Sequence, residues 1–147
     1  MSRGAPPPPR RVTLRTDSRL ENTALVVGAV RAMCSAAGLD ARGSAQVELA
    51  VAEAVNNAVR HAYHGQPGHV VEVAFALEAG QISIEVADRG TPMVPAGRPL
   101  FEFDPADLAR LPVGGMGLFI IHSLMDELDY DSRDGRNALR MTRRLAA

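Results

Sequence analysis

One cysteine, Cys34, is all that the 147-residue chain contains. No disulfide can close within it, and such usage fits a reducing compartment. An excess of charge of either sign is also missing: 16 basic residues stand against 17 acidic ones, a formal net charge of -1. This excludes the basic footprint of a protein that grips a nucleic-acid backbone or an anionic membrane. A protein or small-molecule partner is expected instead. No stretch approaches the roughly 18 continuous apolar residues of a membrane span. The opening Met-Ser-Arg-Gly-Ala lacks the apolar centre of a secretory signal, so the expected location is cytoplasmic.

What is present suffices for one domain with a single core. Pro6 to Pro9, which precede Arg10 and Arg11, cannot donate backbone hydrogen bonds and should form an extended, disordered tail over residues 1–10, or else a docking ligand for an aromatic groove. Residues 11–147 make the expected folded domain. Val12-Thr13-Leu14-Arg15 reads as a short edge strand, and Asp17-Ser18 as a cap for an apolar helix over 20–37, ended by Gly38. A second helix starts at Asp40 or Ser44 and runs to Tyr63, with Val47, Val51, Val55, Ala58, Val59 and Ala62 at helical spacing.

Two alternating strands follow, with Val71, Val73, Phe75 and Leu77 on the first and Ile82, Ile84 and Val86 on the second, joined at Glu78-Ala79-Gly80. Residues 91–114 dissolve into prolines and glycines, too long for an ordinary connection and expected to be a functional lid. Phe101 and Phe103 argue against a plain linker. A third helix after Gly117 and two strands around Asp134-Gly135 close the chain. The order implies an α/β two-layer sandwich, with helices on one face of a mixed, mostly antiparallel sheet.

The second helix places Glu53 and Asn57 four residues apart, hence on one face. A carboxylate and a carboxamide in a mostly apolar helix need something polar opposite, and a nucleotide with its metal is the natural candidate. Asp88-Arg89-Gly90 ends the second of the two central strands. A carboxylate there can accept a hydrogen bond from an exocyclic amine such as that of adenine, although an Asp-Gly turn is equally ordinary at a strand end. Gly114-Gly115-Met116-Gly117 opens a helix whose free N–H groups suit a phosphate, or serves as a hinge.

In this order and spacing the motifs resemble the ATP-binding fold shared by gyrase, the ninety-kilodalton heat-shock chaperones, histidine kinases and mismatch-repair ATPases. Within it, Glu53-Ala54-Val55-Asn56-Asn57-Ala58-Val59-Arg60-His61-Ala62-Tyr63 and Gly115-Met116-Gly117-Leu118 through Met125-Asp126-Glu127 are similar to the motifs of anti-sigma factor serine kinases. The resemblance implies ATP and Mg2+ as cofactors, Asn57 as the metal ligand and Glu53 as the catalytic base toward a serine hydroxyl. It implies Asp88 with Gly90 as the adenine-reading pair, and Gly115, Met116, Gly117 and Leu118 as the phosphate-side segment. His61 matches a position near the triphosphate, or caps the helix.

The implied partners are a sigma factor, a STAS-type anti-anti-sigma antagonist and a second copy of the chain, with the first helix as part of the partner surface or simply a core face. Three departures from the family pattern stand out: Pro92 at a position often glycine, Val113 where a basic lid residue can stand, with Arg110 three residues earlier, and Asn137-Ala138 in place of a threonine pair. The last removes hydroxyls from the pocket. Alternative activities are a nucleotide-gated binding module without catalysis and a subunit that activates a phosphatase. Strand passage, chaperoning or autonomous histidine phosphorylation would need further domains.

Overall fold

A computed structural model describes residues 4, 5, 8–94 and 115–145. Five strands and three helices follow one another as β1 (Arg10–Asp17), α1 (Thr23–Ala36), α2 (Ala41–Asn57), β2 (Val70–Glu78), β3 (Gln81–Asp88), α3 (Gly115–Leu124), β4 (Glu127–Arg133) and β5 (Arg136–Arg144). The sheet order is β1-β2-β3-β5-β4. Every pairing is antiparallel, so the sheet is not mixed among the described residues. The reason is local: β2–β3 and β4–β5 are hairpins, and β5 returns beside β3 in the opposite direction.

Period-two alternation puts Val71, Val73, Phe75, Ile82, Ile84, Val86, Leu139 and Met141 on one face, all buried. That face packs on the helices, whose Val30, Cys34, Val47, Val51, Val55, Leu118 and Ile121 complete one core. The β4–β5 turn has Asp134 at φ 54 and Gly135 at φ 76, the left-handed pair that a two-residue hairpin demands. As an edge strand β1 is longer than expected, starting at Arg10.

Three boundaries differ from the sequence-based expectation. A 3-10 turn, Leu20–Asn22, precedes α1 with no side-chain cap. Asp17 and Ser18 serve another purpose: Asp17 Oδ1 accepts from Gly68 N at 3.1 Å, and Ser18 Oγ donates to the Gln66 carbonyl at 2.6 Å. They tie the end of β1 to the loop after α2. Asp40, not Ser44, caps α2, its Oδ1 accepting from Gly43 N at 2.8 Å. Finally, the α-helix ends at Asn57 and continues as a π-turn, Ala58–Ala62. Tyr63 N donates to the Ala58 carbonyl at 3.1 Å.

Of the expected lid, 91–94 are described. Phe101, Phe103, Arg110, Val113 and Gly114 lie outside the described residues, as do Pro6 and Pro7 of the tail.

Candidate nucleotide site

The capped, core-facing α2 carries Glu53 and Asn57 one turn apart at its C-terminal end. Two asparagines are adjacent there, and the fold distinguishes them. Asn56 accepts from Thr23 Oγ1 at 2.8 Å and so fastens α2 to the start of α1. Asn57 is only 8% exposed, and its Nδ2 is the one buried side-chain nitrogen or oxygen without a partner among the described residues. An unsatisfied buried amide costs about 1–3 kcal/mol. A ligand that meets it would offset that cost.

Gly117 of α3 faces the same two side chains. A Cβ on it would stand 2.9 Å from Glu53 Oε2 and 3.0 and 3.2 Å from the Asn57 Nδ2 and Oδ1. The absence of a side chain leaves the α3 backbone beside both polar groups. Gly115 begins α3 and Met116 follows it, so the free N–H end of this ten-residue helix belongs to the segment expected beside phosphates. Leu118 is fully enclosed in the core, so its side chain holds α3 in place and only its backbone can face a ligand.

Asp88 ends β3 opposite Asn137 in β5. Asp88 Oδ1 accepts from Gly90 N at 3.0 Å and from Asn137 Nδ2 at 2.7 Å. Burial pushes the Asp88 carboxyl above its ordinary range, against the lowering effect of those two donors. Asn137 is itself 2% exposed. By sequence Asn137 is a loss of pocket hydroxyls; in the structure it is a buried donor bonded to Asp88. Only strand register reveals it.

The stretch after Asp88 is fastened at each step. Arg89 N donates to the Tyr63 hydroxyl at 2.7 Å, and that hydroxyl donates to the Val70 carbonyl at 2.7 Å. Asn137 Nδ2 donates to the Gly90 carbonyl at 2.8 Å, Thr91 N to the Ala62 carbonyl at 2.9 Å, and Met93 N to the Tyr130 hydroxyl at 2.9 Å. A Cβ on Gly90 would collide with the Ala62 carbonyl group. Gly90 is therefore needed where β3 closes on the π-turn. Tyr63 stacks on His69 with ring centroids 4.6 Å apart.

His61 is half-buried in the π-turn and makes no side-chain hydrogen bond among the described residues. It does not cap the helix. The chain has no lysine at all, so any side-chain cation that meets phosphate must be an arginine or a histidine. A cavity of about 310 Å³ is lined by Asp88, Arg89 and Tyr63 together with Arg15, His69, Glu72 and Arg136, and its lining includes neither Glu53 nor Asn57.

With that geometry in hand, the relatives are informative. The histidine kinase-like ATPase domain matches residues 16–143. The serine-protein kinase RsbW of Listeria monocytogenes is 28% identical over 122 residues, 80% of this chain and 77% of the relative. RsbW of Bacillus pumilus is 35% identical over 100 residues, covering 60% and 58%. The anti-sigma F factor of Bacillus cytotoxicus is 32% identical over 92 residues, 60% of each chain. Among solved structures, the RsbU and RsbW domains of Rv1364c from Mycobacterium tuberculosis superpose with TM-score 0.63 at 25% identity over 95% of this chain. This chain spans 33% of that longer one. No described helix is long and apolar enough to cross a membrane. The chain belongs to the histidine kinase-like ATPase domain family.

Proposed function

We propose that this protein is an anti-sigma factor with ATP-dependent protein serine kinase activity, which sequesters a sigma factor and phosphorylates a STAS-type anti-anti-sigma antagonist. The observation that carries the reading is the Glu53, Asn57 and Gly117 arrangement, with the Asn57 amide buried and unpartnered. The printed names of the relatives, serine-protein kinase RsbW and anti-sigma F factor, support it.

The residues suit a magnesium nucleotide. Among the described residues no three His, Cys, Asp or Glu side chains gather as a metal cage. Magnesium commonly takes one or two protein ligands and completes its shell with phosphate oxygens and water; the Asn57 amide oxygen would be such a ligand, while its unpartnered Nδ2 suits an acceptor such as a phosphate oxygen. When bound, the ion would neutralise charge on the β- and γ-phosphates. Glu53, which has no hydrogen-bond partner among the described residues, accepts the proton of the serine hydroxyl as that oxygen bonds to the γ-phosphorus and the bond to ADP breaks. Asp88 accepts from the adenine amine, and the N-terminal end of α3, with Gly115, Met116, Gly117 and Leu118, offers backbone N–H groups to the phosphates. His61, in the π-turn that follows α2, is the side chain assigned to a phosphate oxygen.

For partners, α1 buries Val26, Val30 and Cys34 but leaves Leu25 74% exposed. This is the part of the helix available to a sigma factor or a second copy. The deciding experiment is calorimetric titration of ATP with and without magnesium, followed by labelled-phosphate transfer to a purified STAS-type antagonist. Magnesium-dependent binding and labelling of a serine support the kinase. Binding without labelling of any candidate antagonist leaves a nucleotide-gated sequestering module, and no binding rejects the nucleotide reading.

A further inference from the structure

We propose that Asn137, with Ser132 supporting its amide oxygen, is a positioning residue that presents Asp88 to the nucleotide base through a single oxygen and so sets selectivity for a base with an exocyclic amine. This rests on the nucleotide reading of the site and extends it to two residues of the last hairpin.

The Asn137 carboxamide is fully used. Its two N–H groups go to Asp88 Oδ1 at 2.7 Å and to the Gly90 carbonyl at 2.8 Å, and its oxygen accepts from Ser132 Oγ at 2.7 Å. A carboxamide can turn over, and two groups that can only accept, the Asp88 carboxylate and the Gly90 carbonyl, hold the amino end toward Asp88, while the Ser132 hydroxyl adds a bond to the oxygen end. Turned the other way, the amide oxygen would meet a carboxylate oxygen.

Asp88 Oδ1 takes two donors, from Asn137 and from Gly90 N. Among the described residues no donor reaches Oδ2, and Oδ2 is not a buried atom lacking a partner. One oxygen is thus fixed and saturated, while the other is left for a ligand. An amine can use it, whereas a base bearing a carbonyl oxygen in that place meets an acceptor with an acceptor. Sites built on such a bond discriminate strongly against analogues that cannot make it.

Asn137 touches no reacting atom and acts through Asp88. Removing it leaves the Gly90 carbonyl without its donor and Asp88 Oδ1 held by Gly90 N alone, so the effect should fall on base discrimination rather than on phosphate affinity.

The test compares ATP with inosine triphosphate, which carries a carbonyl in place of the amine, by calorimetry on the full chain, with thermal unfolding as the control for folding. Wild type should prefer ATP by about tenfold or more. In Asn137→Ala that preference should fall to within about threefold, through weaker ATP binding with little change for inosine triphosphate. Asn137→Thr, which returns a single donor, should recover part of it. Should Asn137→Ala not fold, Ser132→Ala should show a smaller fall in the same ratio. A preference that survives unchanged in the folded Asn137→Ala, or in Ser132→Ala if that must stand in, overturns the inference alone. Wild type that binds no nucleotide, or binds both equally, overturns the base-reading assignment of Asp88 and this inference with it.

Discussion

Gly117 on α3 approaches Asn57 at the end of α2 so closely that a methyl group on it would stand 3.0 Å from Asn57 Nδ2. The same methyl would stand 2.9 Å from Glu53 Oε2. Both neighbours are side-chain ends, so they can move aside at small cost to the fold, but not while keeping their geometry. Gly117→Ala should therefore unfold within a few degrees of wild type, yet bind ATP about tenfold more weakly and lose most phosphate transfer. Calorimetry and a transfer assay on one preparation check both halves.

The two polar residues of α2 should separate binding from chemistry. Glu53→Ala should keep ATP affinity within about threefold and reduce transfer to the antagonist by a factor on the order of 100 or more, the usual scale of a lost general base. Asn57→Ala should lose magnesium-dependent binding itself. Equal ATP affinity in Glu53→Ala, Asn57→Ala and Asp88→Ala would rule out these roles.

Asp88 gives a pH dependence whose sign follows from its raised folded-state pKa. The folded chain binds that proton more tightly than the unfolded chain. Lowering the pH through the raised pKa toward the ordinary carboxylate range therefore adds stability, and at neutral pH the buried charge subtracts it. Asp88→Asn should raise the melting temperature of the nucleotide-free protein at neutral pH, and the difference from wild type should shrink as the pH is lowered. The same variant should not bind ATP measurably. A pH series of melting curves tests the first statement, titration the second.

Gly90 meets backbone rather than a movable side chain. Gly90→Ala places a methyl group against the Ala62 carbonyl, where the π-turn and the Thr91 hydrogen bond fix both strands of chain. Overpacking of this kind costs about 1–3 kcal/mol. Denaturant unfolding should show it, and a variant as stable as wild type would mean that the turn yields.

Tyr63→Phe removes a hydroxyl that accepts from Arg89 N and donates to the Val70 carbonyl. Both backbone groups lose a partner, and the expected cost is about 1–3 kcal/mol. Burial raises the Tyr63 pKa in any case, so the loss should persist across the neutral and mildly alkaline range. Denaturant unfolding at several pH values would show it.

Much of this was legible in the chain because it depends on near neighbours. Glu53 and Asn57 share a face by helical spacing alone, the central strands alternate, and Asp134-Gly135 announces its turn. Other features were misread for equally physical reasons. Asp17-Ser18 has the composition of a cap, but its side chains find partners at Gly68 and Gln66, 51 and 48 residues away. The π-turn leaves no mark in apolar spacing, since Ala58, Val59 and Ala62 are buried in it as they would be in an α-helix.

The helices, the hairpins and the family to which they belong can be read from contiguous chain, because periodicity, turn residues and motif spacing are local properties. Tertiary structure decided which of two asparagines is left unpartnered, by giving Asn56 to Thr23. It decided that Gly90 answers to Ala62, and that Asn137, 49 residues from Asp88, is its donor. Those choices arise from strand register and helix packing, which bring together groups whose separation along the chain carries no hint of their contact.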